Sequence, residues 1–242
     1  MMSKFAGFLA LYLLFGCSTD KLNDISVSES SLANKEVVLD NVIACAASNE
    51  NDDLVSVFLY PRPGATNIRY YETTDTRLDK NDFDNYTLVD FPLVDVFNGY
   101  LKKFEVPANK EKWAIVSFDE AGLTHVSNPI RLKQETKPTE YLPQNVSINA
   151  SSNMPIFSWT DGTYDDTVIY FQVVSDQLGN LISGTYTIEK NFQFYKLDNV
   201  VLNITKSTPE NLNRNQPYKF TMLAVSEDNW VNLFTEVDFT IE

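Results

Sequence analysis

From Glu36 onward the apolar residues fall in short β-branched and aromatic runs separated by turn residues, with no helical period of any length. Val55, Val57 and Leu59 alternate with Ser56, Phe58 and Tyr60. Pro61-Arg62-Pro63-Gly64 then ends that run, because proline has no N–H to give to a strand ladder. Asn67 to Thr73 resumes as a strand with Ile68 and Tyr70 on one face. Trp113, Ile115 and Ser117 alternate with Ala114, Val116 and Phe118, and a turn at Glu120-Ala121-Gly122 leads into residues 124–132. Val168 to Val174, Leu212 to Ala224 and Val231 to Ile241 continue the pattern. Short strands at this spacing predict an all-β sandwich or barrel.

Three stretches break the pattern. At the N-terminus Lys4 precedes the apolar run Phe5–Phe15, which has the layout of a secretory h-region and is too short to span a bilayer. Residues 18 to about 36 are polar, rich in serine and acids, and without apolar periodicity, which predicts a flexible tether with a reach of ~25 Å. Farther on, Lys133 to Pro143 is polar and carries two prolines, which predicts a domain boundary and two separately folding units.

The h-region ends in Leu14-Phe15-Gly16-Cys17, followed by the polar Ser18-Thr19-Asp20. This resembles the lipobox of bacterial lipoproteins. The resemblance implies cleavage before Cys17 and acyl chains such as palmitate on that cysteine, which would be the protein's membrane attachment; several chains anchor stably where one binds only reversibly. Ser18 stands where an Asp would mark inner-membrane retention, so the resemblance implies the outer membrane. Asp20 and Asp24 loosely resemble the surface-export signal of Bacteroidetes lipoproteins, which leaves the periplasmic and surface-exposed faces both open.

The strand runs carry a second resemblance. Leu59-x-Pro61-x-Pro63-Gly64 through Tyr71 resembles the B strand, BC turn and C strand of a fibronectin type III domain. Trp113 to Gly122, followed by Ser127-Asn128-Pro129-Ile130, resembles its F strand, FG turn and G strand. Leu59 takes the place of the family's B-strand tryptophan, Glu111 falls where the corner tyrosine would be, and residues 74–106 are longer than usual. The second half follows the family more closely: Phe157-Ser158-Trp159 matches the B strand with its core tryptophan, and Tyr218 in Asn215 to Ala224 matches the tyrosine corner, its hydroxyl bonding to upstream backbone. The implied fold is two tandem Ig-like or fibronectin type III-like β-sandwiches after a lipoprotein signal peptide and tether. The boundaries are 1–16 for the signal, 17–36 for the lipidated cysteine and tether, 37–134 and 144–242 for the sandwiches, and 135–143 for the linker.

Charge narrows the partners. The chain carries a formal −14, and the removed segment takes away Lys4 and no acid. Such acidity disfavours nucleic acid, whose phosphates need Lys/Arg surfaces, and peripheral binding to anionic lipid. With Cys17 lipidated, Cys45 has no intrachain partner; it lies in the apolar run Val42 to Ala47 as a buried small hydrophobe, with no cation near in sequence to activate it. One histidine, His125, cannot supply a triad, a zinc dyad or a His-paired thiol, and reads as a half-exposed strand residue. No nucleophile elbow, metalloprotease helix or phosphate loop is present.

The acids cluster in three places. Asn49 to Asp53 reads as a solvated loop, and Asp75 to Asp84 lacks the glycine and closing glutamate of an EF-hand loop. The third group, Asp161, Asp165 and Asp166, falls in the BC loop of the second sandwich, whose FG loop carries Glu227, Asp228 and Trp230. The resemblance places BC and FG at one end. They are solvated loops, or a ligand or Ca2+ site on a rigid sandwich. Trp230 and Tyr164 are the aromatic candidates beside Asp161, Asp165 and Asp228; alternatively Trp230 folds back to cap the core. These features predict a non-enzymatic binding or scaffold module in an outer-membrane assembly, with a protein or glycan partner. The alternatives are a carbohydrate- or protein-capturing module of a nutrient-uptake system and, third, a hydrolase accessory.

Overall fold

The computed structural model describes Leu32 and residues 35–242, apart from the side chains of Asp40 and Asn41. The expected signal segment, the expected lipidation site Cys17 and most of the expected tether lie outside the described residues. Among those described there is no α-helix, and no helix is long and apolar enough to cross a membrane.

The first sandwich contains β1 (Val37–Val42), β2 (Ala44–Ser48), β3 (Leu54–Leu59), β4 (Thr66–Glu72), β5 (Thr87–Val89), β6 (Leu93–Val96), β7 (Leu101–Pro107), β8 (Lys112–Glu120), β9 (Leu123–Ser127) and β10 (Ile130–Leu132). One sheet runs β1-β9-β8-β4-β5 with β10 also on β8, and it faces the sheet β2-β3-β7-β6. The second sandwich contains β11 (Glu140–Tyr141), β12 (Val146–Asn149), β13 (Ile156–Trp159), β14 (Thr167–Asp176), β15 (Leu181–Thr187), β16 (Asn191–Gln193), β17 (Val200–Asn203), β18 (Pro217–Ser226) and β19 (Val231–Thr240). Its sheets are β11-β19-β18-β14-β15-β17 and β12-β13-β16.

Both halves follow one plan. An opening strand runs parallel to a late strand of one sheet, β1 on β9 and β11 on β19. The chain then crosses to the other sheet, β2 on β3 and β12 on β13. The β8–β9 turn takes Ala121 and Gly122 through φ of 52° and 83°, a conformation whose twist matches that of the flanking strands. The architecture is therefore two tandem Ig-like or fibronectin type III-like β-sandwiches.

The alternation read from the sequence sets each core. Val55, Val57 and Leu59 of β3 and Phe104 and Val106 of β7 meet Tyr70, Ala114, Val116 and Phe118 of the facing sheet. In the second sandwich Phe157 and Trp159 of β13 meet Tyr170, Phe220 and Met222, with the Phe157 and Phe220 rings stacked at 4.2 Å. The Tyr218 hydroxyl accepts the Asn213 N–H at 2.9 Å, which is the expected corner. Each fully buried side chain of this size contributes about 1.5–3 kcal/mol.

Two sheets are buried on both faces. The outer side of β14 and β18, with Phe171, Val173, Leu223 and Val225, packs against Ala47 and Leu101 and the half-buried Cys45, Phe58 and Tyr60 of the first sandwich. The outer side of β8 and β4, with Ile115 and Tyr71, is covered by Tyr86, by Phe83 from the excursion between β4 and β5, and by Leu32. Leu32 belongs to the stretch expected to be tether, yet it is 2% exposed and packs in the cluster on that face.

The polar segment at the expected domain boundary is bonded to both sandwiches. Lys133 is buried and pairs with Asp228 at 2.7 Å. Thr139 accepts from the Ser48 N–H at 2.9 Å and donates to the Val231 carbonyl at 2.8 Å. The Tyr141 hydroxyl donates to the Ser48 carbonyl at 2.5 Å. The segment is polar because its groups have partners in both sandwiches, and polarity alone does not distinguish that from solvation.

Candidate functional site

The hairpin joining β18 to β19, residues 226–230, is the element that the acid-loop reading singled out, and it enters the first sandwich. The Ala46 N–H donates to the Asn229 carbonyl at 3.0 Å and the Arg131 N–H donates to the Asp228 carbonyl at 2.9 Å. Ala46 lies on β2 and Arg131 on β10, so the hairpin bridges the two sheets at their open edge. Between them the Trp230 ring is fully buried in the first core, among the side chains of β3, β7 and β8, and its indole N–H donates to the Lys137 carbonyl at 2.7 Å. Trp230 is therefore not a surface contact. A wholly apolar gap beside an unpaired strand edge is filled better by a large ring than by solvent.

Around this plug lies an open polar cleft of about 760 Å³ shared by both sandwiches. Lys80, Asn81, Trp113 and Asn128 line one side, and Asp165, Asp166, Val168 and Glu227 to Asn229 line the other. The BC and FG loops of the second sandwich thus do meet, and Asp165 and Asp228 share one cleft. The other candidates go elsewhere. Asp161 accepts from the Tyr170 hydroxyl at 2.6 Å and pairs with Lys190 at 2.5 Å. Tyr164 lies under the Lys137 ammonium, 4.6 Å from its ring centre.

Lysines neutralise much of the acid here. Asp228 is held by Lys133 and by the Ser226 hydroxyl at 2.7 Å. Asp166 pairs with Lys137 and accepts from Asn232 at 2.8 Å. Burial pushes the Asp166 carboxyl up, but the Lys137 and Asn232 hydrogen bonds and the lysine charges together hold it below the usual carboxylate range. Among the described residues no group of three or more His, Cys, Asp or Glu could hold a metal ion. The other two acidic loops turn on themselves: Asp52 accepts the Leu54 N–H, Asp79 the Asn81 N–H and Asp82 the Asp84 N–H.

His125 is buried, not half-exposed: it stacks on Phe118 at 5.6 Å with Nε2 3.8 Å from Glu120. Burial pushes the Cys45 thiol up to about 12, in keeping with an inert small hydrophobe. Ser56 accepts from Lys103 at 3.2 Å, and that lysine also pairs with Glu105.

Sequence reasoning missed Trp113. Its half-buried ring lies on the cleft, with Lys80 Nζ 4.9 Å from its centre and its N–H donating to the Thr76 carbonyl at 3.3 Å. It also missed the apolar junction, although a signal existed: Val168 to Val174 and Phe220 to Val225 are nearly unbroken apolar runs, the mark of strands buried on both faces.

Fold and junction together define a class, two fibronectin type III-like sandwiches joined through an apolar interface with a polar cleft beside it. No protein-family model matches the chain, and no curated protein matches it. Among solved structures, the FN1-FN3 domains of chicken CNTN1 align over 85% of this chain and 67% of their own, at 14% identity and a TM-score of 0.30. The BSP domain of a biofilm associated protein aligns over 82% of this chain and 29% of its own, at 14% identity and a TM-score of 0.26. The strand order and the two cores, rather than these distant likenesses, define the fold.

Proposed function

We propose that this protein is a non-enzymatic lipoprotein of the bacterial outer membrane, anchored through Cys17, whose paired sandwiches act as a binding or scaffold module in an envelope assembly. The observation that carries the reading is the insertion of the 226–230 hairpin into the first sandwich. Domains on a chain move independently unless their interface is large and apolar. Here the plug, the stitched linker and the apolar junction make one body, which suits a part that must hold partners at a set distance. The cleft beside the plug combines surface from both halves, so a partner seated there would read their relative placement.

Two measurements test this. Cys17→Ala should abolish fatty-acid labelling and membrane retention; equal labelling of variant and wild type would end the anchoring idea. A photo-crosslinking residue at Val168, 49% exposed on the cleft, should trap an envelope protein in cells. The same residue at Leu178, 80% exposed at the other end of β14, should not. Absence of any envelope adduct from Val168 would remove the scaffold reading. The half-buried Trp113 favours a second reading, capture of a carbohydrate or protein for uptake, in which soluble glycan competes away the Val168 adduct.

A further inference from the structure

The junction also holds a hollow of a different kind. Between the outer faces of β14 and β18 and those of β2 and β3 a crevice of about 130 Å³ remains, walled by Phe58, Phe97 and Leu101 from the first sandwich and Phe171, Tyr186 and Leu223 from the second. Packed interiors rarely leave a void larger than a water molecule, and side chains ordinarily shift to close one. Here the two faces are tied to each other on both flanks, which holds their spacing. On one flank stand the Trp230 plug and the Ala46–Asn229 bond. On the other, the Tyr100 hydroxyl donates to the Ile204 carbonyl at 2.5 Å, and the Asn98 amide donates to Asn180 at 2.7 Å and to the Leu178 carbonyl at 3.1 Å.

The lining sets the chemistry. Its one carboxylate, Glu236, is already engaged by Lys219 and by the Thr221 hydroxyl, both at 3.3 Å. Burial keeps the Cys45 thiol and the Tyr186 phenol protonated, so the rest of the wall is uncharged. A chain of formal charge −14 repels anions besides. Apolar cavities of about 150 Å³ take up benzene in water, and this crevice is of that size. It also lies at a domain interface, where ligand pockets concentrate. We propose that the crevice is a binding site for a neutral, apolar small molecule about the size of one six-membered ring.

The test is a titration of the full chain with toluene, followed by NMR. The amide resonances of Cys45, Leu101, Phe171 and Tyr186 should shift saturably, whereas benzoate, of the same ring size but anionic, should leave them in place. Cys45→Phe, which puts a ring into the crevice from β2, should weaken toluene binding at least about 10-fold. No saturable shift in the wild type would overturn the proposal, as would equal response to benzoate or equal toluene affinity in the filled variant. The wild-type titration decides alone if Cys45→Phe does not melt cooperatively.

Discussion

The second sandwich closes on its own residues: Trp159 fills the middle of its core and Tyr218 pins its corner to Asn213. The first has Leu59 and Glu111 at the matching places. Glu111 turns outward to Arg131 at 2.5 Å and to Thr136, and the tryptophan in the first core is Trp230, which arrives from the second sandwich. The core of one unit is built from its own residues, and the core of the other is completed by its neighbour. The difference shows how two domains become one body without a long linker or a disulfide: the incomplete core is the docking site.

The largest effects fall at the tryptophans. Trp230→Ala should cost about 3–5 kcal/mol, the usual loss for a large buried ring, with the damage in the first sandwich although the residue belongs to the second. Trp159→Ala should cost a similar amount within its own sandwich. Denaturant unfolding gives the totals, and a loss below about 1 kcal/mol for either would put that ring outside a core. Next is Lys133→Ala, which strands the partly buried Asp228 beside the plug. It should cost about 2 kcal/mol, less than a fully buried pair because water still reaches the carboxylate; an unchanged midpoint would show the pair to be incidental. Tyr218→Phe follows, leaving the Asn213 N–H without its acceptor for about 1 kcal/mol, and the second sandwich should bear it.

The smallest effect is the dependence on acid. Burial pushes the Glu111 carboxyl up, but hydrogen bonds from Thr136 and Arg131 and the Arg131 and Lys133 charges outweigh it and hold the group below its ordinary 4.5. A depressed carboxylate contributes stability above that value and loses it as pH falls through the folded pKa. Thermal melts should therefore weaken below pH 4.5, and Glu111→Gln should flatten that part of the curve. An identical acid limb in the variant would remove Glu111 as a contributor.

Much of this was legible in the chain. Period-two alternation at Val55 to Tyr60 and Trp113 to Phe118 placed strands, and Trp159 and Tyr218 marked the second core, because these signals are local. Asp165 and Asp228 were placed in converging loops, and they line one cleft. Trp230 was less legible. A tryptophan after a turn and beside acids reads alike whether it faces water or another domain, since its neighbours on β2 and β10 lie about a hundred residues or more away in sequence. The linker was equally ambiguous: Lys133, Lys137 and Thr139 look like solvated residues until Asp228, Asp166 and Ser48 are brought to them.

Hydrogen exchange on the full chain carrying Trp230→Ala reads which sandwich depends on that ring. If the second sandwich completes the first, backbone amides of β3 and β8, such as Val57 and Val116, should lose protection strongly, while those of β13 and the Asn213 corner lose much less. Unaltered protection in β3 and β8, with the loss confined to β18 and β19, would show that Trp230 only caps its own domain and that the first sandwich stands without it.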